Sequence, residues 1–275
     1  MIHNVIDMTV EGSVGTPTLT TYIIDDAEMF LIRKRPLIII CPGGGYNHLS
    51  DREGELLALQ YLSMGFHAAV LRYSVTPAVY PTPLSELAKA MATVRKHVDE
   101  WHIEENKILV QGSSAGGHLA GLLGCYWNKE WLAEQIAEGN KELLRPNGLI
   151  LSYPVITSGE FAHRGSFDML IGEAADTQRR EKLLEELSLE KQVTEDTPPT
   201  FIWHTYEDGA VPAENSLLFV QALRRKNIPV EFHLYPKGGH GLGLGTELTC
   251  SSSGKEIRPE INTWIHMAET FIRNL

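Results

Sequence analysis

Six strand-length apolar runs, spaced by segments of helical periodicity, constrain this chain more than any other feature. They are "PLIIICPGGGY" (36–46), "HAAVLRYSV" (67–75), "KILVQG" (107–112), "NGLILSYPVI" (147–156), "TFIWHT" (200–205) and "VEFHLYP" (230–236). Hydrophobicity that hardly alternates is what a strand covered on both faces requires, so these runs predict a mainly parallel sheet. Between them, "SELAKAMATVRKHVDEW" (85–101) and "AENSLLFVQALRRKN" (213–227) place apolar residues three and four apart, as amphipathic helices do, and the tail "EINTWIHMAETFIRNL" reads as a closing helix. The amino-terminal "NVIDMTV" and "TLTTYIID" are expected to pair as an antiparallel hairpin at one edge. The expected fold class is α/β, with helices on both faces of the sheet.

A length of 275 residues allows one large domain or two small ones. No repeat, low-complexity tract or linker divides the chain, so residues 1–275 are read as one domain. One segment breaks the alternation: residues 157–197 hold "SGEFAHRGSFDMLIG" and the charged helix "TQRREKLLEELSLEKQ" between two strands. A connection of that length usually carries function, and it is expected to form a lid or a wall of a site.

The formal charge of −11 argues against nucleic acid or an anionic membrane surface as a partner. The first residues lack a basic region followed by an apolar core, and no segment has the length of a membrane span. The three cysteines, Cys41, Cys125 and Cys250, are widely spaced and read as free thiols of a reducing compartment, so a cytoplasmic protein is expected.

The run 107–112 leads into "GSSAGG", and Gly112-Ser113-Ser114-Ala115-Gly116 fits G-x-S-x-G centred on Ser114. A nucleophile at a sharp strand-to-helix turn sits in strained backbone with its hydroxyl projected outward, and the residues two before and two after are forced together. Small residues must stand there. Ser113 fails this test, because its own flanking positions are Gln111 and Ala115.

A serine needs a base to react at neutral pH, usually a histidine oriented by a carboxylate. In the order Ser, Asp, His the chain offers Asp208, just past "TFIWHT", and His240, in the glycine-rich loop after "VEFHLYP". Both lie at the carboxyl ends of strands, where sites in such folds collect. Glu207 sits one residue nearer the strand, His204 lies inside it as a packed or hydrogen-bonded residue, and His118 is one turn past the elbow. An oxyanion hole needs two donors: the amide of Ala115 is one, and the glycines of "CPGGGY" supply the other, from Gly44 or alternatively Gly45. No metal site is expected. There is no HExxH, and the carboxylates of "DREGE" (51–55) read as a solvated loop and helix start. Nor does "GGHGLGLG" have nucleotide-loop spacing, so no cofactor is expected.

With these four segments in this order, the chain resembles the α/β-hydrolase superfamily, and within it the small esterase and lipase-like group with acetyl-xylan-esterase-like, sugar-deacetylating members. "PGGGY" stands where that group has its His-Gly-Gly-Gly loop, with Pro42 in place of the histidine; "GSSAGGHLA", "TFIWHTYEDGAVPAENSLLF" and "YPKGGHGLGL" match the elbow, acid and histidine segments. The resemblance implies a serine carboxylesterase, and an acetylated sugar as one substrate. Hormone-sensitive-lipase-like relatives carry an amino-terminal helical cap. Here about 35 strand-like residues precede the glycine loop, so an open pocket for short acyl chains, acetyl to butyryl, is expected, walled by Tyr46, Asn47 and the 157–197 segment. The expected partner is a small-molecule ester, and an exposed hairpin edge permits self-association. A peptidase or amidase with the same triad, and a non-catalytic binding protein on the same fold, are the alternatives.

Overall fold

The computed structural model describes residues 1–173 and 176–275; Ala174 and Ala175, within the expected lid, lie outside the described residues. Eight strands form one sheet: β1 (Val5–Asp7), β2 (Thr18–Tyr22), β3 (Arg35–Cys41), β4 (His67–Arg72), β5 (Ile103–Ser113), β6 (Gly148–Ser152), β7 (Thr200–Thr205) and β8 (Val230–Tyr235). Their order is β1-β2-β4-β3-β5-β6-β7-β8. The β1–β2 and β2–β4 pairs are antiparallel, and every pair from β4 to β8 is parallel. The amino-terminal hairpin therefore caps the β4 side of the parallel sheet.

The apolar runs are continuous because both faces are covered. Leu37 and Ile39 of β3 join one core, with helices α2 (Thr82–Lys96), α3 (Ala115–Tyr126), α4 (Glu130–Ala137) and α7 (Glu214–Arg225). Ile38 and Ile40, one residue out of phase, join the other, with α1 (Glu55–Ser63) and the closing helix α8 (Thr263–Asn274). Alternate side chains of a strand point to opposite faces, so one strand must be apolar at every position to serve both layers.

The segment after β6 departs from the alternation as the sequence suggests. It forms α5 (Arg164–Ile171) and α6 (Thr177–Leu187) before the chain returns to β7. Asp176 caps α6, its side chain accepting the Arg179 amide at 2.8 Å. Phe167 and Leu170 of α5, and Leu183 and Leu187 of α6, reach the same core as α3. Among the described residues no helix is long and apolar enough to cross a membrane.

Candidate active site

β5 runs straight into α3, and the residue at the junction is Ser114. Its backbone sits at φ 55°, ψ −120°, a strained setting for a residue with a side chain. The crowding that forces this is visible on both sides. A side chain begun at Gly112 would stand 2.1 Å from the Gly116 carbonyl oxygen, and one begun at Gly116 would stand 2.1 Å from that of Cys41, at the end of β3. The second contact is with the neighbouring strand, so Gly116 answers to the sheet as well as to the turn. Ser113 is buried and accepts a hydrogen bond from Gln111 Nε2 at 3.1 Å, facing away from the cleft.

The three residues singled out from different strand ends meet. His240 Nε2 lies 2.7 Å from Ser114 Oγ, and His240 Nδ1 lies 2.7 Å from Asp208 Oδ2. An ionised carboxylate can only accept, so Nδ1 carries the proton and Nε2 is left to accept from the serine hydroxyl. Asp208 is itself held from three further directions: Oδ1 accepts the amides of Ala210 (3.0 Å) and Val211 (2.9 Å), and His204 Nε2 lies 3.3 Å from Oδ2. Burial pushes the Asp208 carboxyl up, but the hydrogen bonds from His204 and His240, with the Val211 amide, outweigh it and hold the group far below the usual carboxylate range. His204 is thus more than a packed strand residue. Its Nδ1 accepts from Ser216 Oγ at 2.8 Å, and its single Nε2–H is shared between the Val211 carbonyl at 2.9 Å and Asp208 Oδ2 at 3.3 Å.

The glycine loop after β3 lies against the elbow. Gly43 donates its amide to Glu53 Oε2 at 2.9 Å, so that donor is committed. Gly44 and Gly45 both have positive φ, and both line the cleft beside Ser114. The Gly44 carbonyl is engaged inside the loop, accepting the amides of Asn47 (3.0 Å) and His48 (3.2 Å). Ala115 is the first residue of α3, where amides have no partner inside the helix. The Gly44–Gly45 turn and the first turn of α3 thus both lie beside Ser114.

Behind this loop stands a buried polar network that was not legible in the sequence. Glu53, expected on a solvated loop, is 3% exposed, whereas Asp51 and Glu55 on either side are exposed. Its Oε1 accepts from the Tyr153 hydroxyl at 2.6 Å, and that hydroxyl accepts the Gly243 amide at 3.0 Å. The Tyr153 ring also packs edge-on against His240, with centroids 5.1 Å apart.

The cleft over Ser114 encloses about 490 Å³. Asn47 lines it as expected, and the 157–197 segment contributes His163, Gly165 and Met169. Tyr46 does not. Its left-handed backbone, φ 58°, sends the ring into the core, where its hydroxyl donates to His118 Nδ1 at 2.9 Å. His118 passes the link on, Nε2 donating to the Leu187 carbonyl at 2.8 Å, and burial lowers its pKa to about 4. Residues adjacent to the glycine loop thus divide, Asn47 to the cleft and Tyr46 to the core.

Comparison with known proteins identifies the family. The BD-FAE family matches residues 31–223, from the strand before the glycine loop through the elbow and the acid into α7. The chain belongs to the BD-FAE family. Its fold is that of the α/β-hydrolases. The BD-FAE chain is 35% identical to the acetyl ester-xyloside bifunctional hydrolase of Caldicellulosiruptor lactoaceticus; the match covers 98% of this chain and 96% of that one, with a TM-score of 0.82. It is 37% identical over 246 residues to endo-1,4-beta-xylanase B of Butyrivibrio fibrisolvens, which covers 86% of this chain and 36% of the relative. It is 29% identical over 213 residues to an acetylxylan esterase of Xylanibacter ruminicola, 76% of this chain and 41% of the relative. The chain thus spans well under half the length of these two curated relatives.

Proposed function

We propose that this chain is a serine carboxylesterase acting on short-chain acyl esters, acetyl to butyryl, including acetyl groups carried by sugars. The observation that carries the reading is the unbroken relay from Ser114 Oγ through His240 to Asp208, each link 2.7 Å. Ser114 Oγ attacks the ester carbonyl carbon and His240 Nε2 takes its proton. The carbonyl oxygen becomes an oxyanion facing the amides of Ala115 and of the Gly44–Gly45 turn. Asp208 keeps the ring in the tautomer that can accept, then stabilises the imidazolium. Collapse breaks the bond to the alcohol oxygen, which leaves with the proton from His240. Water then attacks the acyl-serine, gives its proton to His240, and the acid departs as Ser114 is restored.

Asn47, His48, Ser50, Arg52 and His163 line the cleft and offer hydrogen-bonding groups to a hydroxylated leaving group. A deacetylating role on sugars draws further support from relatives called acetylxylan esterase and acetyl ester-xyloside hydrolase. The test is hydrolysis of p-nitrophenyl esters from acetyl to decanoyl, with acetate release from an acetylated xylo-oligosaccharide, by wild type and Ser114→Ala. Turnover that peaks at acetyl or butyryl and collapses in the variant is expected. A folded wild type that turns over no ester, or a variant as active as wild type, would overturn the reading.

A further inference from the structure

The cleft contains one permanent cation, Arg52, and one buried carboxylate, Glu53, and no ion pair joins Arg52 to an acid among the described residues. Arg52 is partly buried and makes a single hydrogen bond to another part of the chain, Nη1 to the Thr249 carbonyl at 3.1 Å. The two carboxylates beside it in sequence are engaged elsewhere: Asp51 faces Arg72 at 3.5 Å, and both oxygens of Glu53 are taken by Gly43 and Tyr153. No carboxylate stands within ion-pair distance of Arg52 among the described residues, in a chain with 35 acidic and 24 basic side chains. A guanidinium drawn out of water without a counter-charge is unfavourable, and its planar fork matches a carboxylate.

Its position assigns a side of the cleft. Arg52 Nη2 stands 3.5 Å from where a side chain at Gly241 would begin, so the guanidinium borders the loop that carries His240. In ester hydrolysis the leaving oxygen takes its proton from His240, and the alcohol portion must therefore lie along this loop.

We propose that Arg52 is a specificity determinant that binds a carboxylate on the alcohol portion of the ester, so that the favoured substrates are acylated hydroxy acids such as a uronic acid. This rests on the esterase reading. One guanidinium with no second permanent cation beside it matches the single charge of a carboxylate better than the double charge of a phosphate.

The test compares kcat/KM for acetylated glucuronic acid and for its uncharged primary amide, by wild type, Arg52→Gln and Arg52→Lys, with circular dichroism to verify folding. A charge-assisted hydrogen-bonded pair favours the acid by roughly ten- to hundredfold, mainly through KM. The preference is expected to fall to about one in Arg52→Gln and to persist in part in Arg52→Lys, since the lysine keeps the charge and loses the fork. In parallel, glucuronate binding is titrated into Ser114→Ala and into Ser114→Ala/Arg52→Gln. Saturable binding lost with Arg52 supports the site even if no ester is turned over, in which case the esterase reading fails alone. Equal kcat/KM for acid and amide in wild type, a preference unchanged in Arg52→Gln, or glucuronate binding that is absent or indifferent to Arg52 would overturn the proposal.

Discussion

Replacing Glu53 by alanine tests whether the buried network behind the oxyanion loop holds the site in place. The carboxylate accepts two hydrogen bonds, from the Gly43 amide at 2.9 Å and the Tyr153 hydroxyl at 2.6 Å. Both donors are buried, so the alanine leaves two buried N–H and O–H groups without an acceptor. Each such group costs about 1–3 kcal/mol, which puts the loss of stability at about 2–6 kcal/mol, the lower end applying if a water refills the space. Catalysis should suffer separately, because the Gly43 amide anchors the turn that carries Gly44 and Gly45. Misplacing one oxyanion donor is worth about 3–4 kcal/mol of barrier, or roughly 10²- to 10³-fold in kcat. Glu53→Gln should fall between: its oxygen still accepts from Gly43, while its amide nitrogen faces Tyr153 and removes that hydroxyl's acceptor. Urea unfolding gives the stability term, and p-nitrophenyl acetate turnover gives kcat and KM. An alanine variant within about 0.5 kcal/mol of wild type and within twofold in kcat would refute the reasoning, for then two buried donors would have been orphaned at no cost.

Asp208→Asn should lower kcat by about 10⁴-fold in the same assay, since the amide nitrogen at the Oδ2 position would face the N–H groups of His240 and His204, donor against donor; a drop under tenfold would contradict this. Gly116→Ala should fail to accumulate as soluble protein, because its new carbon would stand 2.1 Å from the Cys41 backbone oxygen; a soluble variant with wild-type Tm would count against the packing described. Burial lowers the pKa of both His67 and His118 to about 4, so between there and about 6.5 the unfolded chain binds more protons than the folded one and stability falls as pH falls. With both groups the slope reaches about 2.4 kcal/mol per pH unit at its steepest, at about pH 5.3, and urea unfolding that stays flat from pH 7 to pH 5 would exclude it. Burial also drives the thiols of Cys41 and Cys125 upward, the latter to about 12, while Cys250 is only partly buried. A thiol reagent should therefore titrate one group in the native protein and all three in denaturant; three fast native thiols would contradict the burial.

What was legible in the sequence is what local sterics or strand ends determine. The elbow could be read because its constraint acts between residues two apart, and Asp208 and His240 because they follow β7 and β8 directly. The strand β5 was read short at its amino end, beginning at Lys107 instead of Ile103. In the sheet Arg35 pairs with Ile103 and Leu37 with Ile108, so Glu104 to Lys107 form a bulge of polar residues that interrupts the apolar pattern without ending the strand. The place of Tyr46 next to the glycines predicts a pocket residue. Its direction depends on a positive φ that no neighbouring residue announces.

The burial of Glu53 escapes the sequence for a different reason. Its partners lie 10 and 100 positions away, and nothing in "DREGE" distinguishes the buried carboxylate from the exposed ones beside it. Yet those distant contacts explain why loops from different strand ends keep a common geometry. Glu53 ties the loop after β3 to Tyr153 after β6, and Tyr153 ties on to Gly243 in the histidine loop after β8. Asp208, after β7, holds the same histidine loop through His240. The nucleophile needs no further tether, because the Ser114 amide donates to the Ser152 carbonyl at the end of β6, 3.0 Å away. Each loop is thus fixed to a neighbour by at least one buried hydrogen bond, and the donors and the base keep their positions before any ester arrives. Such preorganisation is what lets backbone amides stabilise an oxyanion without reorganising as the charge develops. A motif can list the groups that react, but their relative placement depends on side chains that never touch the substrate.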